Sequence, residues 1–106
     1  MSFGLIGFII GSPGAALAAT LPTGADVVHG QVELQNPSSD AMRIIQSSQS
    51  AIVNWQSFDI GHGALVDIIQ PNIDAAMLSR VVGSNLSEIH GSLNANGHLY
   101  LILSLI

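Results

Sequence analysis

Between Leu21 and Ile102 no stretch sustains apolar residues at helical spacing. Short runs rich in Val and Ile follow one another instead, each ended by turn-forming residues. The runs are Val27-Val28, Val32 to Leu34, Arg43 to Gln46, Ala51 to Trp55, Ser57 to Ile60, Leu65 to Ile69, Arg80 to Val82, Glu88 to His90 and His98 to Ile102. Between them stand Asn36-Pro37-Ser38-Ser39, Gly61-His62-Gly63, Pro71-Asn72, Gly83-Ser84-Asn85 and Asn94-Ala95-Asn96-Gly97. Gly and Asn tolerate the positive φ of tight turns, and proline withholds a ladder donor. Asp74 to Ser79, through Ala75-Ala76-Met77-Leu78, is the one candidate helical turn. Short strands punctuated in this way predict an all-β architecture, whether sandwich, barrel or solenoid. Strand content alone does not choose among the three.

Charge narrows the function classes. Two arginines, no lysine and seven acids give a formal net charge of −5. That cannot build the basic footprint that displaces counterions from phosphates, so no nucleic-acid partner is expected. The absence of cysteine excludes a disulfide scaffold and a Cys-ligated zinc site. A chain 48% hydrophobic and 8% charged is the reverse of a disordered composition. His29, His62, His90 and His98 form no H-x-x-x-H pair, so neither a metal nor a cofactor is expected. Asp59, Asp67 and Asp74 recur at spacings of eight and seven, which would suit stacked positions in a carbohydrate-active enzyme. Each stands without a second acid nearby, the arginines are remote and no G-x-S-x-G is present, so no enzyme is expected.

The N-terminus reads as an export signal. The apolar run Leu5 to Ile10 is broken by Gly11-Ser12-Pro13-Gly14 and followed by Ala15-Ala16-Leu17-Ala18-Ala19. Ala16 and Ala18 fit an A-x-A cleavage site before Ala19, although no basic residue precedes the apolar run. The run falls short of the ~20 apolar residues of a transmembrane helix. The expectation is a signal peptide at residues 1–18, with cleavage between Ala18 and Ala19, ahead of one small domain at 19–106.

The stretch Ala51-Ile52-Val53-Asn54-Trp55-Gln56-Ser57-Phe58-Asp59-Ile60-Gly61 closely resembles a signature of filamentous haemagglutinin-like exoproteins, in their N-terminal two-partner-secretion domain. Further matches are Leu21-Pro22-Thr23-Gly24, Ile69-Gln70-Pro71, Arg80-Val81-Val82-Gly83 and Ile89 to Gly97, in the family's order over most of residues 20–102. The resemblance implies an all-β, right-handed parallel β-helix with extra capping strands. It implies Sec export to the Gram-negative periplasm, and recognition by the POTRA domains of an outer-membrane transporter. It also implies secretion to the cell surface, where downstream regions meet the host. The motif positions Asn54, Trp55, Phe58, Gly61, Arg80, Gly91, Leu93, Asn94, Asn96 and Gly97 would then serve the fold or transporter recognition.

Some of these positions carry alternatives. Trp55 and Phe58 are read either as core or as an exposed anchor for the transporter. Asn94 and Asn96 are read as turn formers or as rungs of an internal hydrogen-bonded ladder. In the family the strand matching Leu99 to Ile102 runs into an Asn-Pro-Asn-Gly turn and a longer domain, whereas here Leu103-Ser104-Leu105-Ile106 follows. The expectation is therefore an incomplete N-terminal part of such a domain. The competing readings are a stand-alone β-rich adhesive surface protein and, more remotely, the carbohydrate-active enzyme.

Overall fold

A computed structural model describes residues 20–84 and 86–103. The expected signal segment, its cleavage pair Ala18 and Ala19, and residues 85 and 104–106 lie outside the described residues. Within them the chain is all-β: β1 (Asp26–His29), β2 (Val32–Ser38), β3 (Ala41–Gln46), β4 (Ser50–Trp55), β5 (Leu65–Ile69), β6 (Ala76–Val81), β7 (Ser92–Ala95) and β8 (His98–Ile102).

The strands form two four-stranded sheets, ordered β1-β4-β6-β8 and β2-β3-β5-β7. From β3 onward the chain alternates between them, so each consecutive pair makes one layer: β3–β4, β5–β6, then β7–β8. Layers stack by parallel pairing, with Ala41 opposite Leu65 and Leu65 opposite Ser92 in one sheet. In the other, Ser50 lies opposite Ala76 and Ala76 opposite His98. The sheets are mixed, because β1 and β2 pair antiparallel to β4 and β3 at the first edge.

That edge is blunted by irregularities between Val27 and His29 and between Gln35 and Ser38, and by Asp26, Glu33 and Pro37. The opposite edge, β7 and β8, is different. Residues 91–103 contain no Asp, Glu, Lys or Arg.

Side-chain alternation with a period of two builds the core. Strand β3 turns Met42, Ile44 and Gln46 inward, β4 Ala51, Val53 and Trp55, β5 Val66 and Ile68, and β6 Met77, Ser79 and Val81. Phe58, Ile60 and Ala64 fill the same core from the connection between β4 and β5. Each large apolar side chain buried there contributes about 1.5–3 kcal/mol relative to exposure. Leu93, Leu99 and Leu101 pack against this core but stay half-buried, being in the outermost layer.

Three readings of the sequence change. The turns expected at Asn36 to Ser39 and Asn94 to Gly97 start later, because Asn36 to Ser38 belong to β2 and Asn94 and Ala95 to β7, where backbone pairing with β3 and β5 holds them extended. The candidate helical turn at Asp74 to Ser79 is not helical: Asp74 lies in a turn and β6 begins at Ala76. The local preference of Ala75-Ala76-Met77-Leu78 for helix is a few tenths of a kcal/mol per residue. It yields to parallel pairing with β4 over Ser50 to Trp55 and to burial of Met77 and Val81. The runs Ser57 to Ile60 and Glu88 to His90 are not strands but single bridges, Thr23 with Ser57 and Ile60 with Ile89.

Ser79 is an anomaly within β6. It faces the core at 1% exposure, and its Oγ has no hydrogen-bond partner among the described residues. Burying a hydroxyl without a partner costs roughly 1–3 kcal/mol. Ser79→Ala is therefore expected to raise stability by about 1 kcal/mol, read as a higher urea midpoint at unchanged m-value.

Candidate functional site

The motif residues singled out in the sequence separate into four groups. Trp55 and Phe58 are both fully buried, with ring centroids 5.3 Å apart at 82°, an edge-to-face contact. They are core rather than exposed anchors. The turn after Trp55 breaks the strand alternation that would have sent them to opposite faces. Leu93 joins them, opposite Val66 in register.

The second group lies on the outward faces. Asn54 and Arg80 are in register, and the Arg80 Nε–H donates to Asn54 Oδ1 at 2.9 Å. On the other sheet Gln35, Arg43, Asp67 and Asn94 form an in-register row across all four strands. Arg43 donates to Gln35 Oε1 at 3.4 Å, and Asn94 Nδ2 donates to Asp67 Oδ1 at 3.2 Å.

The third group is a pair of glycines between layers. Gly61 donates its N–H to Thr20 O at 2.9 Å and accepts from the Ala64 N–H at 3.0 Å. Gly91 lies directly above, where a Cβ would collide with the carbonyls of Ala64 and Gly61. Its N–H reaches Ile60 O at 3.1 Å.

The fourth group is a corner. Asn96 Oδ1 accepts the Gln70 backbone N–H at 2.6 Å, and Asn96 Nδ2 donates to Gln70 O at 2.9 Å. Gly97 N–H donates to the Gln70 side-chain Oε1 at 2.8 Å. Gln70 and its neighbour Gln46, only 4% and 2% exposed, were not among the expected site residues, although Ile69-Gln70-Pro71 is one of the family matches. A signal existed: a glutamine continues the inward series Met42, Ile44 where an apolar residue would be expected.

The expected candidates for chemistry do not converge. Asp59 Oδ1 accepts the Glu88 N–H at 2.8 Å and so braces a loop. Asp67 sits mid-strand, and the Asp74 N–H donates to Asn72 Oδ1 in a turn. Side-chain hydrogen bonds between layers join residues 23 to 30 apart in sequence, so a spacing of seven or eight does not stack these acids.

Among the histidines, His62 and His90 stack at 4.7 Å, and His90 Nε2 lies 3.3 Å from Glu88 Oε1 in an exposed contact. A cleft of about 200 Å³ beside them is lined by Thr20, Asp59, Gly61, Leu86, Glu88 and His90. It is smaller than the ~300–1,000 Å³ of typical ligand pockets. Among the described residues no group of three or more His, Asp or Glu could hold a metal ion. What the motif positions share is layer stacking: core filling, in-register pairing, close backbone approach and a corner ladder.

That pattern is the one expected where a motif encodes a stack rather than a reaction centre. The TPS secretion domain family matches residues 18–104. This chain belongs to that family. TPS secretion domains are modules of secreted Gram-negative exoproteins of two-partner secretion, and this chain is such a secretion module.

The chain is 43% identical over 90 residues to a heme/hemopexin-binding protein of Haemophilus influenzae, covering 83% of this chain and 10% of that protein. A second heme/hemopexin-binding protein, from strain Rd, is 38% identical over 86 residues, covering 81% of this chain and 9% of its own length. Among solved structures, the HMW1 secretion domain from Haemophilus influenzae superposes with a TM-score of 0.70 at 34% identity. That match covers 76% of this chain and 21% of the solved one. The chain thus spans about a tenth of the length of the curated relatives it matches. These relatives are two heme/hemopexin-binding proteins and one secretion domain.

Proposed function

We propose that this TPS secretion domain sequence is the address label of a large exoprotein, read in the periplasm by the POTRA domains of a cognate outer-membrane transporter. In this reading residues 1–18 direct the chain to the Sec machinery and are removed between Ala18 and Ala19. Residues 19–106 then form the first part of the secretion domain. The alternating layers are the opening coils of a right-handed parallel β-helix, with β1 and β2 as its cap, and they nucleate folding once the chain emerges. Host contact by adhesion belongs to other regions of the exoprotein, and no catalytic step is assigned to this one.

The observation that carries the proposal is the family match over residues 18–104. Two features support its finer parts. The parallel registers repeat from layer to layer behind an antiparallel, charge-bearing first edge. The far edge at β7 and β8 is free of the charges that natural sheets use to refuse another strand, which suits continued coiling. The absence of cysteine fits a chain that must pass the outer membrane uncrosslinked.

A fusion tests the reading. Residues 1–102 joined to the remainder of a related TPS domain, co-expressed with the matching transporter, are expected to reach the culture medium. Correctly processed fusion retained in the periplasm would overturn the proposal for this sequence.

A further inference from the structure

Parallel stacking leaves one ambiguity that an apolar core does not remove. A slip of one residue turns every side chain to the wrong face, but a slip of two keeps the faces and the backbone ladder. In the β5–β7 pair buried Val66 and Ile68 lie opposite half-buried Leu93 and exposed Ala95, and neither apolar pair is selective enough to exclude a two-residue slip.

Gln70 is placed to remove it. Its side chain lies at the corner after β5, 4% exposed, between the first layer and the third. Its Nε2 faces Gln46 Oε1 at 3.1 Å in the first layer, Ala75 O at 3.4 Å in its own, and His98 O at 3.1 Å in the third. Its Oε1 accepts the Gly97 N–H, and its backbone N–H and C=O are both held by Asn96. Gln46 in turn donates to Ser48 O at 2.7 Å and Ala76 O at 3.0 Å. Gly97 completes the fit, since a Cβ there would stand 2.8 Å from Gln70 Oε1 and 2.9 Å from Ala75 O.

We infer that Gln70 is a register-setting residue: it holds the β7–β8 layer in one alignment and lets that layer form only on a completed second layer. A two-residue slip moves Gly97, His98 and Asn96 away from Gln70 and strands its buried amide oxygen, while Nε2 keeps Gln46 Oε1 and Ala75 O. Stranding it is the costly outcome for a buried polar group, whereas the apolar contacts change little. The inference concerns folding order and does not depend on recognition by a transporter, so either can fail alone.

Because the chain has no cysteine, engineered pairs report register cleanly. In the full 106-residue chain, Asp67→Cys with Asn94→Cys tests the observed alignment, and Asp67→Cys with Ser92→Cys the slipped one. The first pair is expected to form its disulfide at least about tenfold faster, a ratio equivalent to about 1.4 kcal/mol. Adding Gln70→Leu should bring the two rates within about threefold of each other. Amide exchange gives the second readout: Gln70→Leu should lose at least about tenfold protection at Leu93, Gly97 and Leu99 while Val53 and Val66 keep theirs.

Asn96→Ala, which touches Gln70 from the outermost layer alone, should show the same selective loss. An unchanged disulfide preference in Gln70→Leu would overturn the inference. So would protection lost equally in all layers, unfolding of Gln70→Leu included, or an Asn96→Ala chain whose outer layer keeps its protection.

Discussion

Trp55→Ala is expected to leave this chain largely unfolded at 25 °C. The indole is fully buried, meets Phe58 edge-to-face, and stands in β4 between β1 and β6, the centre of its sheet. Truncating a large buried aromatic costs about 3–5 kcal/mol, the sum of lost transfer free energy and the cavity left behind. A small domain has a total stability of only about 5–15 kcal/mol, toward the low end without disulfides. The loss should appear as a collapse of the urea midpoint and of near-ultraviolet dichroism. Trp55→Phe separates size from chemistry. The Trp55 Nε1–H has no partner among the described residues, so phenylalanine gives up no hydrogen bond. Its cost should be less than half that of alanine. If Trp55→Ala retains a cooperative transition near the original midpoint, β4 is not the keystone of the core that its burial indicates.

The contrast between Trp55 and Gln70 explains how far the sequence could be read. Strands β3, β4 and β5 were legible as short runs rich in Val and Ile between turn-forming residues, Ala51 to Trp55 being a clear instance. Size favoured burial of Trp55 and Phe58 but left an exposed anchor open, and only their place in the core closes it. Strand β6 was less legible because Ala75-Ala76-Met77-Leu78 has a helical local preference that only its parallel partner β4, some 26 residues earlier, overrules. The same distance hid the site. Asn94 meets Asp67, Arg80 meets Asn54 and Gln70 meets Gln46, all pairings set by how layers stack rather than by any local pattern.

The histidines make the same point: His90 stacks on His62, far from it in sequence. Family resemblance singled out Asn94, Asn96, Gly91 and Gly97 together. It did not say that each serves a different physical task.

Gly91→Ala is the sharpest test of that division of tasks, since one methyl group is expected to detach a whole layer. Gly91 has no positive φ, so backbone freedom is not what the position requires. What it requires is space: a Cβ would press on the carbonyls of Ala64 and Gly61 and on the Ile60 side chain. Two of those contacts are backbone and cannot rotate aside, so the segment leading into β7 must rise. The bonds His90 N–H to Ile60 O at 2.7 Å and Ser92 N–H to Ala64 O at 2.9 Å would be stretched with it. Overpacking costs roughly 1–3 kcal/mol, and lost ladder bonds add about 1 kcal/mol each.

The outer layer has only half-buried leucines to set against that loss. Exchange protection should therefore vanish from β7 and β8 while β3 to β6 keep theirs, and a protease should cut between β6 and β7 before anywhere else. Gly63→Ala is the control. Its φ of 80° is strained for alanine, but nothing occupies the Cβ position, so the cost is confined to about 1–2 kcal/mol and no layer should detach. Equal effects from the two substitutions would mean that backbone conformation, not close stacking of one layer on the next, governs the glycines of this fold.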